Sequence, residues 1–165
     1  MTTMSASASL AHLRTISALV TGLDRSAVSV TKSARYNTEA VDKGRCRVVW
    51  GDVSSMPFDR GSFDLVTAFE TVYFWPDIVG SYREVLGSLR EGGRFMICNE
   101  TDGSGPHDDV WTRRISGMRI YSGERMESDL REAVFRSVNV YRKDGRRWIC
   151  VIAHRRDRSE TSGKM

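Results

Sequence analysis

Two short apolar segments, residues 46–50 and 63–69, constrain the fold more than any other feature of the sequence. "CRVVW" runs directly into Gly51-Asp52 and a small polar turn, and "FDLVTAF" follows soon after it. Segments that are apolar almost without interruption are typical of strands covered on both faces, as in parallel sheets. They therefore favour an α/β fold with a mostly parallel sheet.

Strands and helices alternate along the rest of the chain. Further strands are predicted at residues 18–24 and 94–98, and helices at 26–37, 77–93 and 124–135. In the first helix Ser26 is the predicted N-cap. The longest helix carries one apolar stripe at helical spacing, formed by Ile78, Tyr82, Val85, Leu86 and Leu89, and the last carries Met126, Leu130 and Val134.

The C-terminal part of the chain predicts an antiparallel hairpin. Residues 137–143 and 147–154 have strand character, and the Asp144-Gly145 pair between them is a strong turn signal. The whole pattern predicts a doubly wound, mostly parallel α/β sheet with an antiparallel C-terminal hairpin. We expect one domain over residues 1–155 and a disordered tail over 156–165, where charges of both signs alternate.

Composition narrows the possible functions of the chain. A length of 165 residues fits one domain, and no apolar run approaches the ~20 residues that span a membrane. The N-terminus lacks the pattern of a secretory signal, so we predict a cytoplasmic protein without a membrane partner.

The three cysteines and three histidines show no metal-ligand spacing, which predicts no metal site. The net charge of +4 lacks the clustered, aromatic-flanked pattern of nucleic-acid binding.

Acidic residues end two successive predicted strands, where open parallel sheets bind ligands. Asp24 could accept hydrogen bonds from both hydroxyls of a ribose, and Asp52 could accept them from the amino group of an adenine. The backbone N–H of Val53 could donate to a ring nitrogen. Each acid could instead be only a turn residue, but the two together favour an adenosine site.

The central part of the sequence resembles a known enzyme family. "GDVSSMPFDRGSFDLVTAFETVYFWPD" and "YREVLGSLREGGRFMICNE" are similar to the middle of class I S-adenosylmethionine-dependent methyltransferases. In that family an acid follows the third strand, and a Gly-Gly turn leads into the fifth. Here Glu91 stands where the family usually has proline. The resemblance covers residues 10–155 and implies methyl transfer from S-adenosylmethionine to a small-molecule acceptor.

The resemblance also implies roles for individual residues. Those implied to surround the cofactor are Asp24, Arg25, Gly51, Asp52, Val53 and Phe69, with Asp24 on the ribose and the Phe69 backbone near the sulfonium. Glu70 would face the transferred methyl group as the catalytic residue, or else serve as a helix cap or surface ion pair. Glu70, Glu100 and His107 are candidates for a base, which a nitrogen or oxygen acceptor would need. The predicted substrate residues are Tyr73, Trp75 and Trp111, which could instead simply cover the sheet edge.

The beginning of the chain departs from the family pattern. The family opens with an apolar strand and a glycine-rich loop, whereas this chain begins "MTTMSASASL" and has no glycine before Gly22; residues 9–18 read as the helix that follows the loop. We therefore predict that the first, central strand is missing. Such a chain could be a truncated copy or could start late. It could also be a divergent form that binds cofactor poorly, or that takes the strand from a partner chain or a second copy.

Three other functions remain open at this stage. One is a catalytically inactive methyltransferase-like module that acts by binding a partner chain, which the missing loop favours. Another is a nicotinamide-dependent oxidoreductase, since an acid after the second strand also suits that cofactor. That class needs a glycine-rich loop too, and "GDVSSMPF" fits the methyltransferases better. The last, a nucleic-acid-binding protein, depends only on the positive net charge.

Overall fold

The computed structural model describes residues 19–156 in full and residues 2–5 by their backbone. The described elements are β1 (Thr2–Ser5), β2 (Leu19–Asp24), α1 (Ala27–Tyr36), α2 (Thr38–Asp42), β3 (Cys46–Trp50), β4 (Phe63–Phe69), a 3-10 turn (Val72–Phe74), α3 (Ile78–Ser88), β5 (Leu89–Asn99), α4 (Asp108–Arg114), α5 (Gly123–Glu132), β6 (Ser137–Arg142) and β7 (Ile149–His154). The predicted helix at 9–18 and most of the predicted tail lie outside these residues.

The seven strands of the described residues form one sheet in the order β3-β2-β1-β4-β5-β7-β6. The first five strands in this order are parallel, and β7 is antiparallel to both β5 and β6. This arrangement confirms the predicted doubly wound, mostly parallel sheet with an antiparallel C-terminal hairpin. The strand order reverses between β1 and β4, which is where open α/β sheets have their ligand crevice.

The predicted absence of the central strand is not confirmed. Thr2–Ser5 lies between β2 and β4, with Thr2 opposite Leu19 and Thr3 opposite Leu65. The strand was predicted to be missing because residues 1–10 contain no apolar run. A short central strand, however, is held by backbone hydrogen bonds to both of its neighbours, and these do not require apolar side chains. Threonine is also among the residues enriched in strands.

Helix α3 begins as predicted but ends earlier. The Asp77 side chain caps its first turn by accepting a hydrogen bond from the N–H of Gly80 at 3.1 Å. The helix ends at Ser88, not at residue 93, because Leu89 is fully buried and pairs with Phe63 at the start of β5. Burial of a large side chain in the sheet thus overrides a helical pattern that continues in the sequence.

Aromatic side chains form much of the core on one face of the sheet. The Trp75 and Phe95 rings stack with centroids 6.0 Å apart and planes 8° from parallel, and Tyr82 meets both rings edge-on. Phe95 also contacts Phe135, which follows α5. The segment after β4 is therefore anchored to α3 and β5 by ring contacts.

The apolar stripe predicted for α5 is only partly correct. Met126 and Leu130 are fully buried, but Val134 is 72% exposed and lies beyond the helix end. The N–H of Phe135 donates to the carbonyl of Leu130, and that of Val134 to the carbonyl of Arg131, the bonds of a Schellman motif. This motif requires a left-handed residue, and Val134 has φ 71°.

No helix among residues 19–156 is both long enough and apolar enough to cross a lipid bilayer.

Candidate functional site

A cavity of about 260 Å³ opens at the carboxyl ends of β2, β3 and β4. Its lining residues are Leu23, Asp24, Arg25, Gly51, Asp52, Val53, Glu70, Thr71, Phe74, Trp75 and Pro76. Predicted cofactor, catalytic and substrate residues thus meet around one space. Ligand pockets usually enclose ~300–1,000 Å³. The described lining therefore encloses about as much space as the smallest of them.

Asp24 is the last residue of β2 and lines the cavity. Its Oδ1 accepts a hydrogen bond from the N–H of Ser26 at 2.8 Å, and Ser26 in turn caps α1 through Ser29. Asp24 therefore does stabilise the turn from β2 into α1, the structural role that the sequence also allowed. Among residues 19–156, however, its Oδ2 makes no hydrogen bond, so this carboxylate keeps acceptor capacity for a ligand.

Gly51 joins the ends of the two strands that carry the acids. Its N–H donates to the carbonyl of Asp24 at 3.1 Å. A Cβ at this position would lie 2.9 Å from Leu23 Cδ1 and 3.1 Å from Pro57 Cδ. Glycine is needed here because the β2 end and the Pro57 ring approach the backbone from two sides.

Asp52 is held as an anion by the turn that follows it. Its Oδ1 accepts hydrogen bonds from the N–H and the hydroxyl of Ser54, at 2.9 Å and 2.7 Å. These bonds lower the pKa of Asp52, and the charge of Arg25 acts in the same direction. Val53, the next residue, is buried and fixes the turn against the core.

Glu70 follows β4 in a left-handed conformation, with φ 56°. Its N–H donates to the carbonyl of Cys98 at 3.1 Å, which holds this backbone against β5. A non-glycine residue in this region costs about 1–3 kcal/mol and is often found at functional sites. Burial raises the pKa of Glu70, the charge of Glu100 raises it further, and a hydrogen bond from the Glu100 backbone opposes both.

The wall opposite the acids is formed by residues 71–76, the segment predicted to contact substrate. Thr71 Oγ1 is buried and has no hydrogen-bond partner among the described residues. Trp75 is only 6% exposed because its ring belongs mainly to the core. A buried hydroxyl without a partner is uncommon in folded proteins, and this one belongs to a residue that lines the cavity.

Several predicted site residues lie outside this lining. Phe69 ends β4 one residue before the cavity, and Tyr73 is almost fully buried with its hydroxyl 3.4 Å from the Thr101 N–H. Burial and the charge of Glu70 raise the pKa of Tyr73. Trp111 is half-exposed on α4, and His107 precedes that helix. Substrate roles for Tyr73 and Trp111 therefore stay predictions.

The sequence interpretation missed an ion pair between Asp108, the buried first residue of α4, and the half-exposed Arg147. Asp108 accepts hydrogen bonds from Thr101 Oγ1 at 2.7 Å, Gly105 N at 2.9 Å and Arg147 Nη1 at 2.6 Å. Burial raises the pKa of Asp108, but the three bonds outweigh it and leave the pKa lowered. The only signal in the sequence was an acid at the start of a helix that follows a Gly/Pro loop.

The acidic, histidine and cysteine side chains of the described residues form no group that could hold a metal ion.

Comparison with known families and proteins gives consistent matches. The model of the methyltransferase domain family matches residues 4–97. Cycloartenol-C-24-methyltransferase from Arabidopsis thaliana is 37% identical over 102 residues, which are 60% of this chain and 30% of that protein. YcgJ from Bacillus subtilis, an uncharacterized methyltransferase, is 29% identical over 119 residues, 70% of this chain and 47% of YcgJ. The segments aligned in sequence thus make up less than half the length of either relative.

Solved structures share the fold at low sequence identity. The crystal structure of YcgJ superposes with a TM-score of 0.75 at 16% identity and covers 94% of this chain and 92% of that one. A chain from the complex between a Haloferax volcanii methyltransferase activator and its methyltransferase superposes with a TM-score of 0.79 at 19% identity, over 94% and 82% of the two chains.

Proposed function

The chain belongs to the class I S-adenosylmethionine-dependent methyltransferase family, and we propose that it transfers the methyl group of this cofactor to a small, partly apolar acceptor. The observation that supports the proposal best is the cavity at the strand-order reversal. Two carboxylates line it: Asp24 is the last residue of β2, and Asp52 follows the neighbouring strand β3 by two residues.

The residues of the cavity fit the adenosine half of the cofactor. Asp24 would accept hydrogen bonds from the ribose hydroxyls through Oδ2, since Oδ1 is used by Ser26. Asp52 would accept from the adenine amino group, with the Val53 N–H donating to the ring. The Thr71 hydroxyl, which has no partner within residues 19–156, supports a polar ligand on the opposite wall.

The main contribution of this chain to methyl transfer would be to position the acceptor against the cofactor. When bound, the cofactor supplies a methyl group on a positively charged sulfur that is already a good leaving group. The protein then has to hold the acceptor in line with that methyl group and to exclude water. Glu70 would take the proton from an acceptor O–H or N–H, and its raised pKa suits a general base better than that of an ordinary glutamate.

The acceptor is proposed from the character of the wall. Phe74, Trp75 and Pro76 present apolar surface to the cavity, which suits an apolar or aromatic molecule. The plant relative is named for methyl transfer to cycloartenol, which agrees with an apolar acceptor. Tyr73 and Trp111 are proposed to contact the acceptor farther from the cofactor.

A second candidate is an inactive methyltransferase-like module that binds a partner chain or a second copy. The family's glycine-rich loop has no counterpart among residues 1–21, which contain no glycine. The Haloferax volcanii neighbour was solved with an activator protein, which makes a partner chain for this one reasonable.

Isothermal titration with S-adenosylhomocysteine separates the two candidates. We expect micromolar binding by the full chain, and binding ~10–100-fold weaker for Asp24→Asn, because hydrogen bonds to a charged group contribute about 1.5–3 kcal/mol. Asparagine keeps the acceptor for Ser26, so the turn should survive. Asp42→Asn, an equal charge change on an exposed residue at the end of α2, is the matched control.

Two results would count against the proposal. No binding up to millimolar ligand, by a chain that circular dichroism shows to be folded, would reject cofactor binding and favour the inactive module. Equal binding by wild type and Asp24→Asn would reject the ribose role of Asp24 but not cofactor binding itself.

A further inference from the structure

Two of the three cysteines lie directly opposite each other on neighbouring antiparallel strands. Cys98 is the penultimate residue of β5, Cys150 is the second residue of β7, and the two are register partners. Their sulfur atoms are 3.1 Å apart, and both thiols are free. Cys46, the third cysteine, lies on β3 at the far edge of the sheet.

The backbone positions already satisfy the geometry of a disulfide. Directly opposed residues of an antiparallel pair have Cα atoms about 4.5–5.5 Å apart and side chains on the same face. Disulfides are found at Cα separations of about 4.4–6.8 Å. Joining Cys98 to Cys150 therefore needs rotation of two side chains and no rearrangement of the strands.

Both sulfurs lie on the more open face of the sheet. Phe95, Ile97 and Asn99 alternate with Cys98 along β5 and are buried, whereas Cys98 is half-buried on the opposite face. Cys150 is likewise half-buried between the buried Ile149 and Val151. A small reagent can therefore approach this pair from outside the aromatic core.

The proximity of the two thiols also makes one of them acidic. The Cys98 thiol donates a hydrogen bond to the Cys150 sulfur, which lowers the pKa of Cys150 to about 7 and raises that of Cys98. The thiolate is the nucleophile in thiol–disulfide exchange. Burial instead raises the pKa of Cys46, so that thiol is the less reactive one.

We propose that Cys98 and Cys150 are a redox-active pair that closes to an intramolecular disulfide when a low-molecular-weight disulfide is the oxidant. The Cys150 thiolate attacks one sulfur of the oxidant, forms a mixed disulfide and releases one thiolate. Cys98 loses its proton and attacks the Cys150 sulfur, which releases the second thiolate. The two protons from the cysteines end on the two released thiols, and two electrons pass to the oxidant.

Mass spectrometry of the full chain tests the proposal directly. After incubation with oxidised glutathione, we expect the intact protein to lose the mass of two hydrogens. When the thiols are then alkylated in denaturant, the number of alkyl groups added should be one instead of three. Peptide mapping should join the peptides of Cys98 and Cys150, and dithiothreitol should restore three thiols. This inference does not depend on methyl transfer.

Matched variants separate this pair from general oxidation. Cys46→Ser should still close the disulfide, whereas Cys150→Ser and Cys98→Ser should each stop at a glutathione adduct or remain reduced. Three alkylatable thiols in the oxidised wild type would overturn the proposal. So would a stable glutathione adduct on Cys150, a crosslink through Cys46, or a crosslink between chains. The mapping of the wild type decides the matter even if one variant does not fold.

Discussion

Replacing Gly51 with alanine tests whether the close approach of β2 and β3 shapes the cavity. The new Cβ would lie 2.9 Å from Leu23 Cδ1, 3.1 Å from Pro57 Cδ and 3.2 Å from Pro57 Cγ. Leu23 is buried in the core and the proline ring is rigid, so neither can move aside cheaply. The backbone of Gly51 must therefore move away from the end of β2, and Asp52 would move with it.

The expected cost follows from two opposing effects. Overpacking of this kind costs about 1–3 kcal/mol. Alanine also restricts the unfolded chain, which returns about 0.4–1 kcal/mol. The free energy of unfolding should therefore fall by about 1–2 kcal/mol, which in a domain of this size lowers Tm by about 2–8 °C. Binding of S-adenosylhomocysteine should weaken as well, because the Asp52 carboxylate is displaced.

Gly87→Ala is a matched control with the opposite expected sign. Gly87 lies near the end of α3, and the nearest atom to its added Cβ is Arg60 Nη1 at 3.3 Å, the end of a flexible, exposed side chain. Alanine is preferred over glycine in a helix by about 1 kcal/mol at most. Thermal unfolding followed by circular dichroism measures both variants. A Gly51→Ala protein as stable as Gly87→Ala, with unchanged ligand binding, would refute this account of the site.

Three further predictions concern stability. Val134→Gly should raise Tm by about 2–4 °C in thermal unfolding, because glycine relieves a left-handed conformation that costs roughly 1–2 kcal/mol; no gain would mean the strain is absent. Asp108→Asn should lower the free energy of unfolding at pH 7 by about 1.5–3 kcal/mol. Because the folded-state pKa of Asp108 is lowered, this difference should shrink in urea titrations as the pH falls below about 4, and a constant difference would contradict the ionic role. Glu70→Gln should stabilise the protein at pH 7, because the raised pKa of Glu70 means that folding disfavours its charge. That gain should shrink as the pH falls below the raised pKa and vanish below the ordinary pKa of a glutamate, and lower stability at pH 7 would reject the argument.

Local patterns were enough to predict most of the fold. The continuous apolar strand at residues 63–69 and the Asp144-Gly145 turn both act through neighbours in sequence, and both elements were predicted correctly. Strand β1 was not predicted because its pairing depends on β2 and β4, which lie far along the chain. The early end of α3 likewise depends on Leu89 meeting Phe63 in the folded sheet.

The sequence could indicate only those parts of the candidate site that depend on neighbours along the chain. Acids at strand ends can be recognised from sequence, and the structure gathers Asp24 and Asp52 around one cavity. The pairing of Asp108 with Arg147 could not be foreseen, since the two residues are 39 positions apart and meet only after the hairpin docks. That the Thr71 hydroxyl finds no partner in the described part of the chain is equally a property of packing and not of residue type.

The position of β1 has a consequence for the way the cavity opens. Asp24 and Asp52 follow strands on one side of β1, while Glu70 and Thr71 follow a strand on the other side, and β1 joins the two halves with only four residues. If β1 detaches, the two walls of the cavity separate together with the two halves of the sheet. A ligand that contacts both walls would hold the two halves of the sheet together. It should therefore slow amide hydrogen exchange throughout β2 and β4, including at residues that it does not contact.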